Sequence, residues 1–429
     1  MAFNTVVPQH NNLSLRTLST VPTEIWIHIL NYVSDDEDTL EAVVGADCPA
    51  SDEAERLLWN EVTPENGKLT RLYQDIEYDQ QVLAGYVRSL TLQFEAPGEQ
   101  LATCALAFSS LRELKIVHNE KHQNAFSYTH ASIRTLISPS LLHLEIGSDE
   151  YESSECKPRV NDFFAALTQC ANLHTLKIRA CLRGSIRGLV QVLQSCRALR
   201  NLTLDKHTAP LINHSTIKAI AMNPNLASLK VDKPISMALV SPISGLDAPF
   251  PSLTSLDITV QDDAAVALLS HARQLRYLRL AVYKTASIFP VLRRLSLLEH
   301  LELDLEDFSM TSYHYNQLVY LSHLEQLELG GMEDRPGLDM TMVDDLSLVG
   351  VLTQLPNLQA LRVAAEHKFD EDFLIALGRR CVKLVSLALS GEYKLAAVCQ
   401  ETGVLFPRLV FLELGDVVKR PRWGYESEE

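Results

Sequence analysis

Leu275-Arg276-Tyr277-Leu278-Arg279-Leu280 is followed 23 residues later by Leu298-Glu299-His300-Leu301-Glu302-Leu303. The two share one phrase: apolar, two variable residues, apolar, one variable residue, apolar. Upstream the phrase returns at Leu253-Leu256-Ile258, Leu226-Leu229-Val231, Leu199-Leu202-Leu204, Leu173-Leu176-Ile178, Leu141-Leu144-Ile146, Leu111-Leu114-Ile116 and Val87-Leu90-Leu92. Downstream it returns at Leu324-Leu327-Leu329, Leu358-Leu361-Val363, Leu384-Leu387-Leu389 and Leu409-Leu412-Leu414. One match would mean nothing; thirteen in order define an architecture. The middle and last apolar residues stand two apart, so they share one face of a short strand. The next unit sets its strand alongside, and the residues between supply the crossover that parallel pairing needs.

Several crossovers have helical spacing. Asp162-Phe163-Phe164-Ala165-Ala166-Leu167 begins with a capping residue and places apolar side chains at i, i+3 and i+4. Residues Ile186 to Leu193 and Asp372 to Leu377 read the same way. No unit buries its apolar face alone, so stacking must supply a continuous core. From Leu90 to Leu412 the middle leucines cover 322 residues in twelve steps, a mean of about 27, at the long end of the leucine-rich-repeat range. Steps run from 22 residues (Leu256 to Leu278) to 34 (Leu327 to Leu361), and the Asn or Cys three places after the last apolar residue stands only at Asn119 and Cys181. The expectation is an α/β fold. It is a divergent, unevenly curved leucine-rich-repeat solenoid, with parallel strands on the concave face of a horseshoe, helices on the convex face, and a small all-α module in front. Cys170, Cys196 and Cys381 each precede the first leucine of a phrase by three residues, which predicts buried helix-end positions rather than reactive thiols.

The net charge of −16 argues against binding nucleic acid along its phosphates and favours basic or mixed-charge protein surfaces. Met1 to Leu18 lack the apolar core of a signal peptide, and no run of about eighteen apolar residues predicts a membrane span. Eight cysteines without a CxxC pair fit reduced thiols. A cytoplasmic or nuclear location, without membrane partner or cofactor, is expected. The sequons at Asn12, Asn201 and Asn213 are read as chance matches.

Ahead of the repeats stands Val21-Pro22-Thr23-Glu24-Ile25-Trp26-Ile27-His28-Ile29-Leu30-Asn31-Tyr32-Val33. A proline near the start and an acid after it suit a helix N-terminus. Ile25, Ile29 and Val33 form one apolar stripe, with Trp26 and Leu30 beside it. Leu57-Leu58-Trp59 follows, then a linker helix through Leu69, Leu72, Tyr73 and Ile76.

These residues resemble an F-box, and the whole chain is similar to the fungal F-box/leucine-rich-repeat proteins. The resemblance implies a substrate-recognition subunit of an SCF-type cullin–RING ubiquitin ligase. In it, Val21, Pro22, Ile25, Trp26, Ile29 and Leu30 face the Skp-family adaptor, Trp59 closes the module's core, and the repeats hold a protein substrate. The stretch Glu41 to Glu53 departs from the family pattern, with Pro49, several acids and no aromatic residue, so shortened later helices are expected there. The organisation reads as an unstructured 1–18, an F-box-like module over 19–62, a linker helix over 63–86, about thirteen repeats over 87–416, and a C-terminal cap with an acidic tail over 417–429. The competing reading is a protein-interaction scaffold unrelated to ubiquitin, with residues 21–59 acting only as a cap for the solenoid.

Residues that flank and separate the paired apolar positions point to the open face. Those expected to touch a ligand are Lys115, Lys177, Arg179, Lys230, Tyr277 and Arg279, followed by an acidic patch at Glu302, Asp304 and Glu328. Mixed charge with Tyr and Arg anchors suits protein recognition. Two long repeats add loops over 147–162 and 330–345, and long loops in a compact array are often either functional or disordered. No catalytic or metal-binding phrase emerges. His118 and His122 lack an HExxH setting, Gly67-Lys68-Leu69-Thr70 lacks the leading glycine of a phosphate loop, and Gly330-Gly331 completes no nucleotide fingerprint. The chain is expected not to be an enzyme.

Overall fold

Each of the thirteen phrases forms a strand. The computed structural model describes residues 22–46, 48–74, 80–94, 106–118, 136–148, 161–179, 186–261, 263–283, 287–330, 338–365, 367, 369–390, 393 and 404–415. The N-terminal segment 1–18, Val21, Ile76, Asn119, His122, Cys181, most of the loop 147–162, Glu333 to Gly337 and the tail 417–429 lie outside the described residues. The chain divides into two compact units, residues 1–144 with 149–151 and residues 145–148 with 152–429.

In the first unit, α1 (Thr23–Tyr32), α2 (Glu37–Val44) and α3 (Ser51–Leu58) make the helical module. Trp26, Leu30, Leu40, Ala54, Leu58 and Trp59 are its buried core. Asp36 caps α2 by accepting a 3.2 Å hydrogen bond from the Thr39 backbone N–H, the usual role of a short acid at that position. Pro49 lies in the turn before α3, and both later helices have eight residues. The stretch 63–86, expected as one linker helix, contains α4 (Lys68–Gln74) and α5 (Gln80–Tyr86), and α5 leads into the repeats.

The module also supplies a strand that no leucine phrase announces. β1 (Glu61–Val62) pairs in parallel with β2 (Ser89–Phe94), and β2 with β3 (Glu113–His118). At each entry one carbonyl accepts two N–H groups from the next strand. Asn60 takes Arg88 and Ser89 at 2.9 and 3.0 Å, and Arg88 takes Arg112 and Glu113 at 2.8 and 2.9 Å.

β4 (His143–Ser148) straddles the boundary between the units. In the second unit the parallel order is β5 (Thr175–Arg179), β6 (Asn201–Leu204), β7 (Ser228–Ile235), β8 (Ser255–Gln261), β9 (Tyr277–Tyr283), β10 (His300–Glu306), β12 (Gln326–Gly330), β14 (Ala360–Ala364), β15 (Ser386–Ser390) and β16 (Phe411–Gly415). β11 (Phe308–Ser309) and β13 (Leu338–Asp339) form a separate parallel pair beside them. Leu176, Leu202, Leu229, Leu256, Leu278, Leu301, Leu327, Leu361, Leu387 and Leu412 stand directly opposite one another in turn. The 22-residue and 34-residue steps therefore return to the same register. The doubled carbonyl recurs as well: His174 takes Arg200 and Asn201, Arg276 takes Glu299 and His300, and Gln359 takes Val385 and Ser386.

Along the main ladder from β5 to β15 this register places two apolar residues per strand in the core, each contributing about 1.5–3 kcal/mol when fully buried, whereas on β16 Leu412 keeps 50% of its surface exposed. Leu176, Ile178, Leu278, Leu280, Leu387 and Leu389 are completely inaccessible. Helices on the other side close the core, among them Ile186–Ser195, His214–Ala221 and Glu371–Arg380. Asn213 and Asp370 cap two of them through 3.0 and 2.9 Å bonds from backbone N–H groups three residues on. Asn213, one of the sequon asparagines, thus has a structural task. Cys170, Cys196 and Cys381 are all buried, as their position predicts.

Candidate protein-recognition surfaces

A ten-residue helix can hide only one stripe against a small module, and α1 carries two. Trp26 and Leu30 form an i, i+4 pair that faces inward, with 9% and 0% of their surface exposed. Ile25 and Ile29 form a second such pair about 100° around the helix and keep 48% and 46% exposed. Pro22, whose carbonyl receives the N–H of Ile25 at 3.0 Å and of Trp26 at 3.2 Å, is exposed at the start of the same helix. Of the residues expected to face an adaptor, Pro22, Ile25 and Ile29 are therefore available to one. Trp26 and Leu30 are not, and that expectation is corrected: their apolar area is already used inside the module. Trp59 lies in the core, only 5% exposed.

On the open face of the second unit, the position between the two core residues forms a row. In register it runs Lys177, Thr203, Lys230, Asp257, Arg279, Glu302, Glu328, Arg362, Ala388 and Glu413. The structure brings most of the sequence-predicted residues together here, but as partners of one another. Lys230 Nζ lies 3.3 Å from Asp257 Oδ2, Arg279 Nε 3.0 Å from Glu302 Oε1, and Arg362 Nε 3.1 Å from Glu328 Oε1. Lys177 and Arg179 share Glu145, at 3.4 and 3.6 Å. The separate basic and acidic patches expected from the sequence are thus interleaved pairs, whose attraction is largely spent within the face. Lys115 is exposed on β3, in the first unit.

Tyr277 occupies the preceding row, half-buried, with the His300 ring 6.0 Å away on the next strand. Burial, then the negative charges of Asp257 and Glu302, push its hydroxyl up to about 12, so it stays a neutral hydrogen-bonding group. His300 was not singled out from sequence, although it holds the same place in its phrase as Tyr277. Asp304 is the second correction. It sits one residue past the core pair, opposite Ala281 and Gly330, in a row that is closed to solvent: Thr259, Ala281 and Asp304 are each at most 2% exposed. A buried carboxylate there is part of the structure and not a free contact for a ligand.

Among the described residues no cluster of His, Cys, Asp and Glu could hold a metal ion, and no helix is long and apolar enough to cross a membrane. No protein-family model matches the chain, and no curated protein matches it significantly. Solved structures similar to it include a leucine-rich-repeat protein of Leptospira interrogans, at 15% identity and TM-score 0.44 over 83% of this chain and 88% of that one. Another is the yeast Rad7–Elc1 complex, at 16% identity and TM-score 0.41 over 93% of this chain and 97% of that one. A third is the leucine-rich-repeat protein LegL7 of Legionella pneumophila, at 15% identity and TM-score 0.32 over 76% and 90%.

Proposed function

We propose that this chain is the substrate-recognition subunit of an SCF-type cullin–RING ubiquitin ligase. α1 docks the Skp-family adaptor through Pro22, Ile25 and Ile29, and the open face of the repeats holds a protein substrate. The observation that carries this reading is the surplus apolar stripe of α1. Two isoleucines four residues apart stay half-exposed on a helix whose other stripe already fills the core, and exposed apolar area of this kind suits a partner. In this role the chain makes no covalent bond. It raises the effective concentration of a substrate near a ubiquitin-charged enzyme.

On the substrate side, the paired row gives a rigid, charge-balanced platform. Exposed ion pairs contribute little each, so a partner gains more from Tyr277 and His300 than from single charges. The test is binding of purified Skp-family adaptor to the full chain and to Ile25→Asp/Ile29→Asp. Binding that the double variant loses while remaining folded supports the receptor. A folded wild-type chain that ignores the adaptor sinks it.

A second reading has an observation of its own. The module donates β1 to the repeat ladder, and Asn60 receives the first strand as the repeats receive one another. Residues 22–62 therefore act as the terminal cap that a repeat array needs. Capping alone leaves the exposed face of α1 without a task, which is why the receptor reading leads.

A further inference from the structure

Between α2, α3, α4 and α5 lies a half-open cleft of about 180 Å³. Its floor is apolar: Leu58, Trp59 and Leu83 line it, with Val44 on one wall, and the first three are buried. Three charged side chains ring it, and two of them are satisfied. Arg71 bonds Glu41 at 2.8 Å and holds its guanidinium 5.9 Å above the centre of the Trp59 ring. Glu55 is the exception. Among the described residues no hydrogen bond or ion pair meets its carboxylate, and burial together with nearby Asp52 raises its pKa with no cation opposing them.

A space this small falls below the roughly 300–1,000 Å³ of drug-sized ligand sites; it fits one long side chain. An apolar floor that ends at a lone carboxylate matches an aliphatic stem that ends in a point charge, the design of lysine. Arg71 already shows the chemistry on the same ring, with a basic head held over Trp59 by an acid. The chain's net charge of −16 adds a general attraction for basic partners. We propose that this cleft receives a lysine side chain of a protein partner, its stem along Trp59 and Leu83 and its ammonium at Glu55. No residue of α1 lines the cleft, so the site stands apart from the adaptor-docking reading and is tested separately.

The test is saturation-transfer NMR on the full chain with two capped tripeptides, Gly-Lys-Gly and its norleucine counterpart. Norleucine keeps the stem and lacks the ammonium. Saturation of the lysine methylenes is expected, with the norleucine peptide binding about fivefold more weakly. Glu55→Gln should bring the lysine peptide down to the norleucine level. Its circular dichroism and its adaptor binding should match the wild type. The proposal is overturned if the lysine peptide gives no saturation, which is also the result if the chain's own residues fill the cleft. Equal binding of the two peptides overturns it too, and that comparison needs no variant. Undiminished binding to a folded Glu55→Gln chain does the same. Loss of adaptor binding by Ile25→Asp/Ile29→Asp, with lysine-peptide binding kept, separates the two readings.

Discussion

Arg362 on β14 reaches past β15 to Glu413 on β16. Its Nη1 lies 3.1 Å from Glu413 Oε2, while its Nε lies 3.1 Å from Glu328 on β12. The reach is possible because Ala388 stands between them in register and offers no side chain beyond Cβ to block the way. One guanidinium, only 12% exposed, therefore ties the last strands of the array together.

Replacing Arg362 with alanine leaves two carboxylates without their shared cation. We expect a loss of about 1–2 kcal/mol, above the range of a fully exposed pair because the guanidinium is mostly buried. Arg362→Lys should recover only part of it, since an ammonium is a point charge and cannot serve two partners as a fork does. Urea unfolding of the three proteins decides the matter, and an unchanged Arg362→Ala midpoint refutes it.

On α1, two neighbouring stripes should respond in opposite ways. Leu30→Ala empties a completely buried site and should cost about 2–5 kcal/mol. Ile25→Asp/Ile29→Asp changes half-exposed positions and should leave the melting temperature nearly unaltered while abolishing adaptor binding. A double variant that unfolds would mean the stripe is covered by the protein itself.

The same substitution should have opposite signs in two crossover helices. In Glu371–Arg380, a Cβ at Gly378 would meet Phe406 Cε2 at 2.7 Å and Leu405 Cβ at 3.1 Å, so Gly378→Ala should cost about 1–3 kcal/mol. In Asp345–Leu352, a Cβ at Gly350 meets nothing within 4 Å. Gly350→Ala should therefore stabilise by up to about 1 kcal/mol, the helix-propensity difference between the two residues. Thermal melts of the pair settle both signs.

Burial raises the thiols of Cys170, Cys196 and Cys381 to about 11, 12 and 11. At pH 8 all three are protonated in the folded chain, and the thiolate is the nucleophile. Iodoacetamide should leave these three unmodified in the native protein and label them fully in denaturant, as read by peptide mass mapping. Native labelling at Cys196 would show that the repeat around it opens locally.

The strand rows were legible in the sequence because the core requires leucine at fixed spacing in every repeat. The pairing of charges was legible too, had the same offset been compared across consecutive repeats: Lys230 against Asp257, Arg279 against Glu302. Other features leave no such trace. The burial of Asp304 depends on what covers the last row of the face, which spacing along its own strand does not record. Ile25–Ile29 and Trp26–Leu30 have identical i, i+4 spacing and similar apolarity, so periodicity alone could not say which stripe turns inward. β1 is two residues long, below the length at which alternation shows.

The doubled carbonyl at each strand entry has a consequence for which residues the chain can tolerate. The last residue before a strand and the first within it both donate their N–H to the preceding repeat, and proline has no N–H to give. Arg88 and Ser89, Arg112 and Glu113, Arg200 and Asn201, Arg276 and Tyr277, Val410 and Phe411 are such pairs. The chain contains 18 prolines, and several stand close upstream, as Pro224, Pro251, Pro356 and Pro407 do, yet none occupies these donor positions. Each repeat thus carries a two-residue window barred to one amino acid, and that exclusion marks where a strand begins even where its leucines have drifted.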